Sequence, residues 1–210
     1  IRFDDAKAAQ FGTSGDLVVW HTGTNSEIIN YTGDLYIKQG MDDKDIIFQC
    51  DDGSGGLQTY MWMDGSAANG TNTYTRMDDN SMLGWGTGFD MYMFHTGTDS
   101  YLTNATGDLY IGNGADDKDI IFQCDDGSGG TETYFYLDGS ASGGNPYTIF
   151  PDNSRLAIGN SIDLQFFHDG TDSWVDNTTG DLHIRQSVND KDIVLMSDDG
   201  SGGTTAYLTL

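Results

Sequence analysis

Proline is nearly missing from this chain: Pro146 and Pro151 are the only two in 210 residues. Set against 29 glycines, that excludes a Pro-rich disordered linker and points to many tight turns between short strands. Glutamate is equally scarce. Of 33 acidic residues only Glu27 and Glu132 are Glu, the rest being Asp. A helical chain favours Glu, whereas Asp bonds its own backbone and belongs to turns. No 11-residue window holds a 3.6-residue apolar period with caps, so we read almost no helix. The basic residues number 9, and the net charge is −24. Nucleic acid and anionic membranes would be repelled, so neither is an expected partner. No run approaches the roughly 18 apolar residues of a membrane span, and no signal peptide is visible. Membrane insertion is therefore not expected. The two cysteines, Cys50 and Cys124, hold the same slot in related stretches, and the third stretch has Ser197 there. A staple would not be dropped so readily, so we read them as small strand residues and not as a disulfide framework.

What the chain does have is repetition. Asp42 to Gly56 returns almost letter for letter as Asp116 to Gly130, and again, loosened, as Asn189 to Gly203. Gly53, Gly127 and Gly200 mark one point in each copy, giving steps of 74 and 73 residues. A fixed step of this size marks a repeat protein. We divide the chain into an end of a preceding segment (1–10), a first repeat (11–66), a connector (67–89), a second repeat (90–140), a second connector (141–162) and a third repeat (163–210). The chain opens on Ile1 and stops at Leu210 within a strand pattern, and is read as part of something longer.

Within the first repeat, 16–21, 26–30, 35–38, 45–50 and 58–63 read as five strands. They are β-branched or aromatic-rich, and Gly-bearing turns separate them. The connectors are each expected to hold one short strand, at 73–77 and 147–150. Residues 5–10 are read as a short helical turn or the tail of a preceding unit. Asp45 to Cys50 carries three consecutive large apolar residues, Ile46, Ile47 and Phe48. Such a strand presents bulk on both faces and needs cover on both, from the next repeat or from another chain. The expected fold is therefore all-β: three tandem β-meander repeats of about 74 residues, forming an elongated, trimeric, intertwined fibre.

The ordered motifs carry a resemblance. They stand as His95-Thr96-Gly97-Thr98-Asp99-Ser100, Asn104 to Ile111, Lys118-Asp119-Ile120, Asp125 to Gly130 and Leu137-Asp138-Gly139-Ser140, and the third repeat matches at Asp163 to Gly170. This series resembles the repeats in tail-fibre shafts of tailed bacteriophages, especially those of marine and cyanobacterial hosts. The resemblance covers nearly everything from residue 11 onward. It implies a homotrimeric viral structural protein, extracellular on the virion and assembled in the host cytoplasm. Its partners would be itself, other fibre or tail proteins, and a host-surface glycan or protein reached through regions outside this stretch. Its role would be to space a receptor-binding tip from the particle during host attachment. Two other readings stand beside it: a subunit of a self-polymerising extracellular filament, and a monomeric β-repeat carbohydrate-binding module.

Candidate sites are few, and no catalytic, cofactor-binding or metal residue is assigned. His21, His95 and His168 share one strand-end slot, and in a threefold assembly three copies could meet on an axis and bind a metal. A hydrogen-bonded His bounding a turn is the plainer reading and the one we favour, since no second ligand stands at a fixed spacing. His183 falls where Tyr36 and Tyr110 stand and reads as an exposed strand residue. Asp42, Asp43, Asp45, Asp51 and Asp52 offer oxygens for structural Ca²⁺. Lys44, Lys118 and Lys191 sit inside these acidic stretches and make them poor cation sites, so turn chemistry is preferred. Gly53 to Gly56 lacks the Lys-Ser/Thr pair and the helix of a phosphate loop. Ser, His and Asp recur in repeated slots without a single constellation, so no enzyme is expected. Tyr60, Trp62, Tyr134, Tyr136 and Tyr207 alternate along the fifth strand, with Tyr101 and Trp174 opening the second. Exposed, they would stack on sugars; those of the fifth strand we expect buried in a thin fibre.

Overall fold

The structure is a computed structural model, and it describes residues 1–141 and 144–210. It is all-β, with seventeen strands and no helix among the described residues. Every pairing is antiparallel. The chain divides into two units, Ile1–Leu109 and Tyr110–Leu210.

The first unit holds three sheets of three strands each. β1 (Ala8–Phe11), β2 (Leu17–His21) and β3 (Ser26–Asn30) form the first, in that order. β4 (Ile46–Asp51), β5 (Leu57–Asp64) and β6 (Tyr74–Arg76) form the second, and β7 (Leu83–Trp85), β8 (Met91–His95) and β9 (Ser100–Asn104) the third. The second unit contains β10 (Ile120–Asp125), β11 (Thr131–Asp138) and β12 (Tyr147–Ile149) in one sheet. β13 (Leu156–Ile158), β14 (Leu164–His168) and β15 (Ser173–Asn177) make another, and β16 (Val194–Asp198) pairs with β17 (Thr204–Thr209).

The hairpins follow from local chemistry. Thr22 Oγ1 accepts the backbone N–H groups of Thr24 and Asn25, closing the β2–β3 turn around Gly23, whose φ is +100°. Asn30 ends β3 by donating Nδ2–H to the carbonyls of Thr32 and Gly33 at 2.8 and 2.9 Å. Asn104 and Asn177 do the same after β9 and β15. The longer hairpins β4–β5, β10–β11 and β16–β17 each carry a β-bulge, at Phe48/Gln49, Phe122/Gln123 and Leu195/Met196. A bulge puts an extra residue in one strand and raises local twist.

Four expectations change. The five-strand meander is not one sheet: β2 and β3 belong to a different sheet from β4 and β5. The connectors hold two strands each. β6 and β12 complete the sheet behind them, whereas β7 and β13 open the sheet ahead. Residues 35–38, expected as a third strand, form no ladder, and neither do 182–185. They lie outside every ladder, with Leu35, Tyr36, Ile37 and Ile184 exposed. The sequence Leu-Tyr-Ile has strand character, but among the described residues no neighbouring edge receives it. At the N-terminus the alternative of a helical turn fails, because Ala8–Phe11 pairs with β2 from Ala8↔Trp20 to Phe11↔Leu17.

Burial is sparse. Among the described residues Val18, 8% exposed, is the only buried apolar residue, and Asp64 and Gln165 are the buried polar ones. The accessible surface is 16892 Å². A compact chain of 22.8 kDa exposes roughly 9,600 Å². Apart from Val18, Asp64 and Gln165, every described residue keeps at least partial access to solvent.

Candidate functional site

The three recurrent histidines end β2, β8 and β14, each directly across from a serine: His21↔Ser26, His95↔Ser100 and His168↔Ser173. Nδ1 of His21 lies 3.1 Å from Ser26 Oγ, and Nδ1 of His95 lies 3.1 Å from Ser100 Oγ. His168 turns to Asp152 Oδ1 at 3.0 Å instead. Their backbone carbonyls accept N–H groups from Ala6, Asn80 and Asn153. All three donors hold positive φ, between 59° and 66°. The histidine slot thus fastens the segment entering each sheet to its middle strand.

The acidic loops are occupied with their own backbone. Asp52 Oδ1 accepts the Ser54 hydroxyl and the N–H groups of Ser54 and Gly56. Those bonds, the Ser54 hydroxyl first, hold its carboxyl below the ordinary range. Asp126 and Asp199 are lowered in the same way by Ser128 and Ser201. Asp45 Oδ1 accepts the Gly65 N–H across 20 residues, and Asp119 does so for Gly139. A Cβ at Gly65 or Gly139 would run into the carbonyl oxygen of Lys44 or Lys118. The Lys-Asp-Ile and Asp-Gly-Ser motifs therefore recur as a pair because each locks to the other. Among the described residues, no group of three His, Cys, Asp or Glu side chains converges to hold a metal.

Two cationic contacts escaped the sequence reading. Arg76 Nη1 on β6 donates to Asp64 Oδ2 at 2.8 Å, and its guanidinium lies 5.2 Å from the Trp62 ring centroid. The Asp64 side chain is only 4% exposed. Arg76 first, then the Ser66 hydroxyl and the Ala67 N–H, hold its carboxyl far below the usual range. In the second unit Arg155 Nη1 donates to the buried Gln165 Oε1 at 2.7 Å and sits 4.0 Å over the Phe167 ring. The scarcity of Arg was the available signal. Each lies in a connector, where neither partner could be paired by spacing.

The fifth-strand aromatics are not interior residues of the single chain. Tyr60, Tyr134 and Tyr207 are exposed beside the bulges, and their hydroxyls donate back to the carbonyls of Asp51, Asp125 and Asp198. Trp62 and Tyr136 are half-buried. Tyr101 stacks on Phe94 at 5.0 Å, and Trp174 on Phe167 at 6.3 Å. Cys50 and Cys124 are free, exposed thiols on β4 and β10. Open grooves of about 850 and 760 Å³ run over the first sheet near Trp20 and between β11 and the Arg155 segment. Both are open to solvent.

Comparison with protein-family models, curated proteins and solved structures gives no match.

Proposed function

We propose that the chain is a segment of a homotrimeric fibre shaft of a virion, holding a receptor-binding tip away from the particle during host attachment. The observation that carries this reading is the lack of an interior. Its surface exceeds that of a compact chain of its mass by roughly 7,000 Å², while a standard specific interface removes about 800 Å² from each partner. Sheets with large apolar residues on both faces need cover that the chain does not supply. Other copies of the same chain supply it at every 74-residue step. Segments without a ladder such as Leu35–Lys38 are then strands whose ladder partner belongs to another copy. The acidic Asp-Gly-Ser turns face water and keep the rod soluble. No chemistry is required of any residue, and the motif series supports the same assignment through its likeness to phage fibre shafts.

Negative-stain imaging with mass photometry tests this directly. Thin rods at three times 22.8 kDa are expected. Compact particles at 22.8 kDa would overturn the reading. Open-ended filaments of no fixed mass would replace the trimer with head-to-tail polymerisation.

A further inference from the structure

Three of the six sheets each carry an uncharged face, and we propose that these faces are the surfaces on which copies of the chain meet. The inference rests on the multi-chain reading above and names the side through which it is built. Residues paired across strands share a face, and alternate residues along a strand change faces. On one side stand Val19 against Ile28, Met93 against Leu102, and Phe166 against Val175. The outer strand adds Ala9, Leu83 and Leu156 beside them in the same register. The six cross-strand residues are between 40% and 62% exposed.

Three observations single this side out. First, no Asp, Glu, Lys or Arg occupies it anywhere within β1–β3, β7–β9 or β13–β15, although the chain carries 33 acidic residues. Its polar members are the His–Ser pairs at one end and Asn30, Asn104 and Asn177 at the other. The opposite side carries Glu27 and Asp176. Second, β1–β3 and β7–β9 lie in one unit, and there this side stays open, with Val19, Ile28, Met93 and Leu102 exposed, whereas Val18 on the other side of β2 is buried. Third, the face recurs at equivalent positions of the sequence step. A covering partner must offer apolar surface at the same interval, and a parallel copy in register does so without further design. Burying the face removes apolar area from water at about 25 cal/mol per Å² and leaves no charge unpaired.

The test uses the chain with Cys50→Ser and Cys124→Ser and one new cysteine, either Val175→Cys on the uncharged face or Asp176→Cys on the other. A short bismaleimide is added after the particle mass is recorded. Val175→Cys is expected to give covalent dimers or larger species, and Asp176→Cys single chains. In a parallel experiment Leu102→Glu is expected to lower the particle mass to 22.8 kDa, whereas Tyr101→Glu on the opposite face leaves it multi-chain. Crosslinking through Asp176→Cys equal to or above that through Val175→Cys overturns the face assignment. So does a multi-chain particle crosslinked at neither position. Both results leave the fibre reading standing. An unmodified protein that weighs 22.8 kDa ends the fibre reading, and the face assignment falls with it.

Discussion

The ring of Phe89 occupies the space above Gly84: a Cβ built on Gly84 would stand 2.8 Å from Phe89 Cε1. Gly84 lies on β7 opposite Tyr92, and Phe89 follows in the turn to β8 with a φ of +55°. The matching positions in the other two sheets are Gln10 with Gly15 and Ala157 with Ile162. Where the strand residue is large, the turn residue is small, and the reverse. Gly15 lies beside the Gln10 side chain, since a Cβ there would be 3.2 Å from Gln10 Oε1. Bulk is exchanged between two positions of one small packing site.

That exchange predicts coupling. Gly84→Gln alone is expected to displace the Phe89 ring and cost about 1 kcal/mol. In a Phe89→Gly background, which reproduces the first sheet, the same change should cost nothing or stabilise. A thermal double-mutant cycle measures the difference, with an expected coupling of about 1 kcal/mol. Additive effects would show that the two sites do not share space.

Gly65 answers to a different constraint. A methyl there meets the backbone oxygen of Lys44, which cannot swing away as a side chain can. Gly65→Ala should break the Asp45–Gly65 bond and destabilise by about 1–3 kcal/mol. Gly112→Ala, with nothing within reach of the new Cβ, should change the melting temperature little. Equal effects would remove the motif lock as the reason for glycine.

Acid stability should depend on Asp64. Its folded carboxyl is held below the ordinary range, chiefly by Arg76. Stability from such a group is present above the unfolded value of about 3.9 and is lost as pH falls through the folded one. The melting temperature should therefore drop as pH is taken below about 4, and Asp64→Asn should flatten that part of the curve. An unchanged slope in the variant would assign the acid response to other carboxylates.

Salt should act in the stabilising direction. In the proposed assembly, copies carrying −24 each would repel one another, and screening would shorten that repulsion from about 10 Å at 0.1 M salt to about 3 Å at 1 M. Assembled mass at high dilution should persist further in 1 M than in 0.05 M sodium chloride. Dissociation promoted by salt would mean that ion pairs, not the uncharged face, join the copies.

Much of the fold was written locally. His21-Thr-Gly-Thr-Asn25 and Asp51-Asp-Gly-Ser-Gly-Gly56 contain their own acceptors and their own positive-φ residues. The strands on either side of such turns find each other without help from the rest of the chain. The recurrence of His21, His95 and His168 was legible too, and so was their place at a strand end. What each histidine touches was not, because Asp152 reaches His168 from a different strand's approach, 16 residues away.

The sequence by itself determined the antiparallel hairpins β2–β3, β4–β5 and their counterparts, since alternation and turn chemistry act over a few residues. Only the tertiary structure decided which third strand joins each hairpin. Tyr74–Arg76 closes one sheet, and Leu83–Trp85 opens the next, seven positions on. Strands of three residues carry too little pattern to fix a register, so their placement follows from anchors such as Arg76 on Asp64. The fate of Leu35–Lys38 was decided in the same way. A strand pattern becomes a strand only where an edge receives its hydrogen bonds, and among the described residues none does.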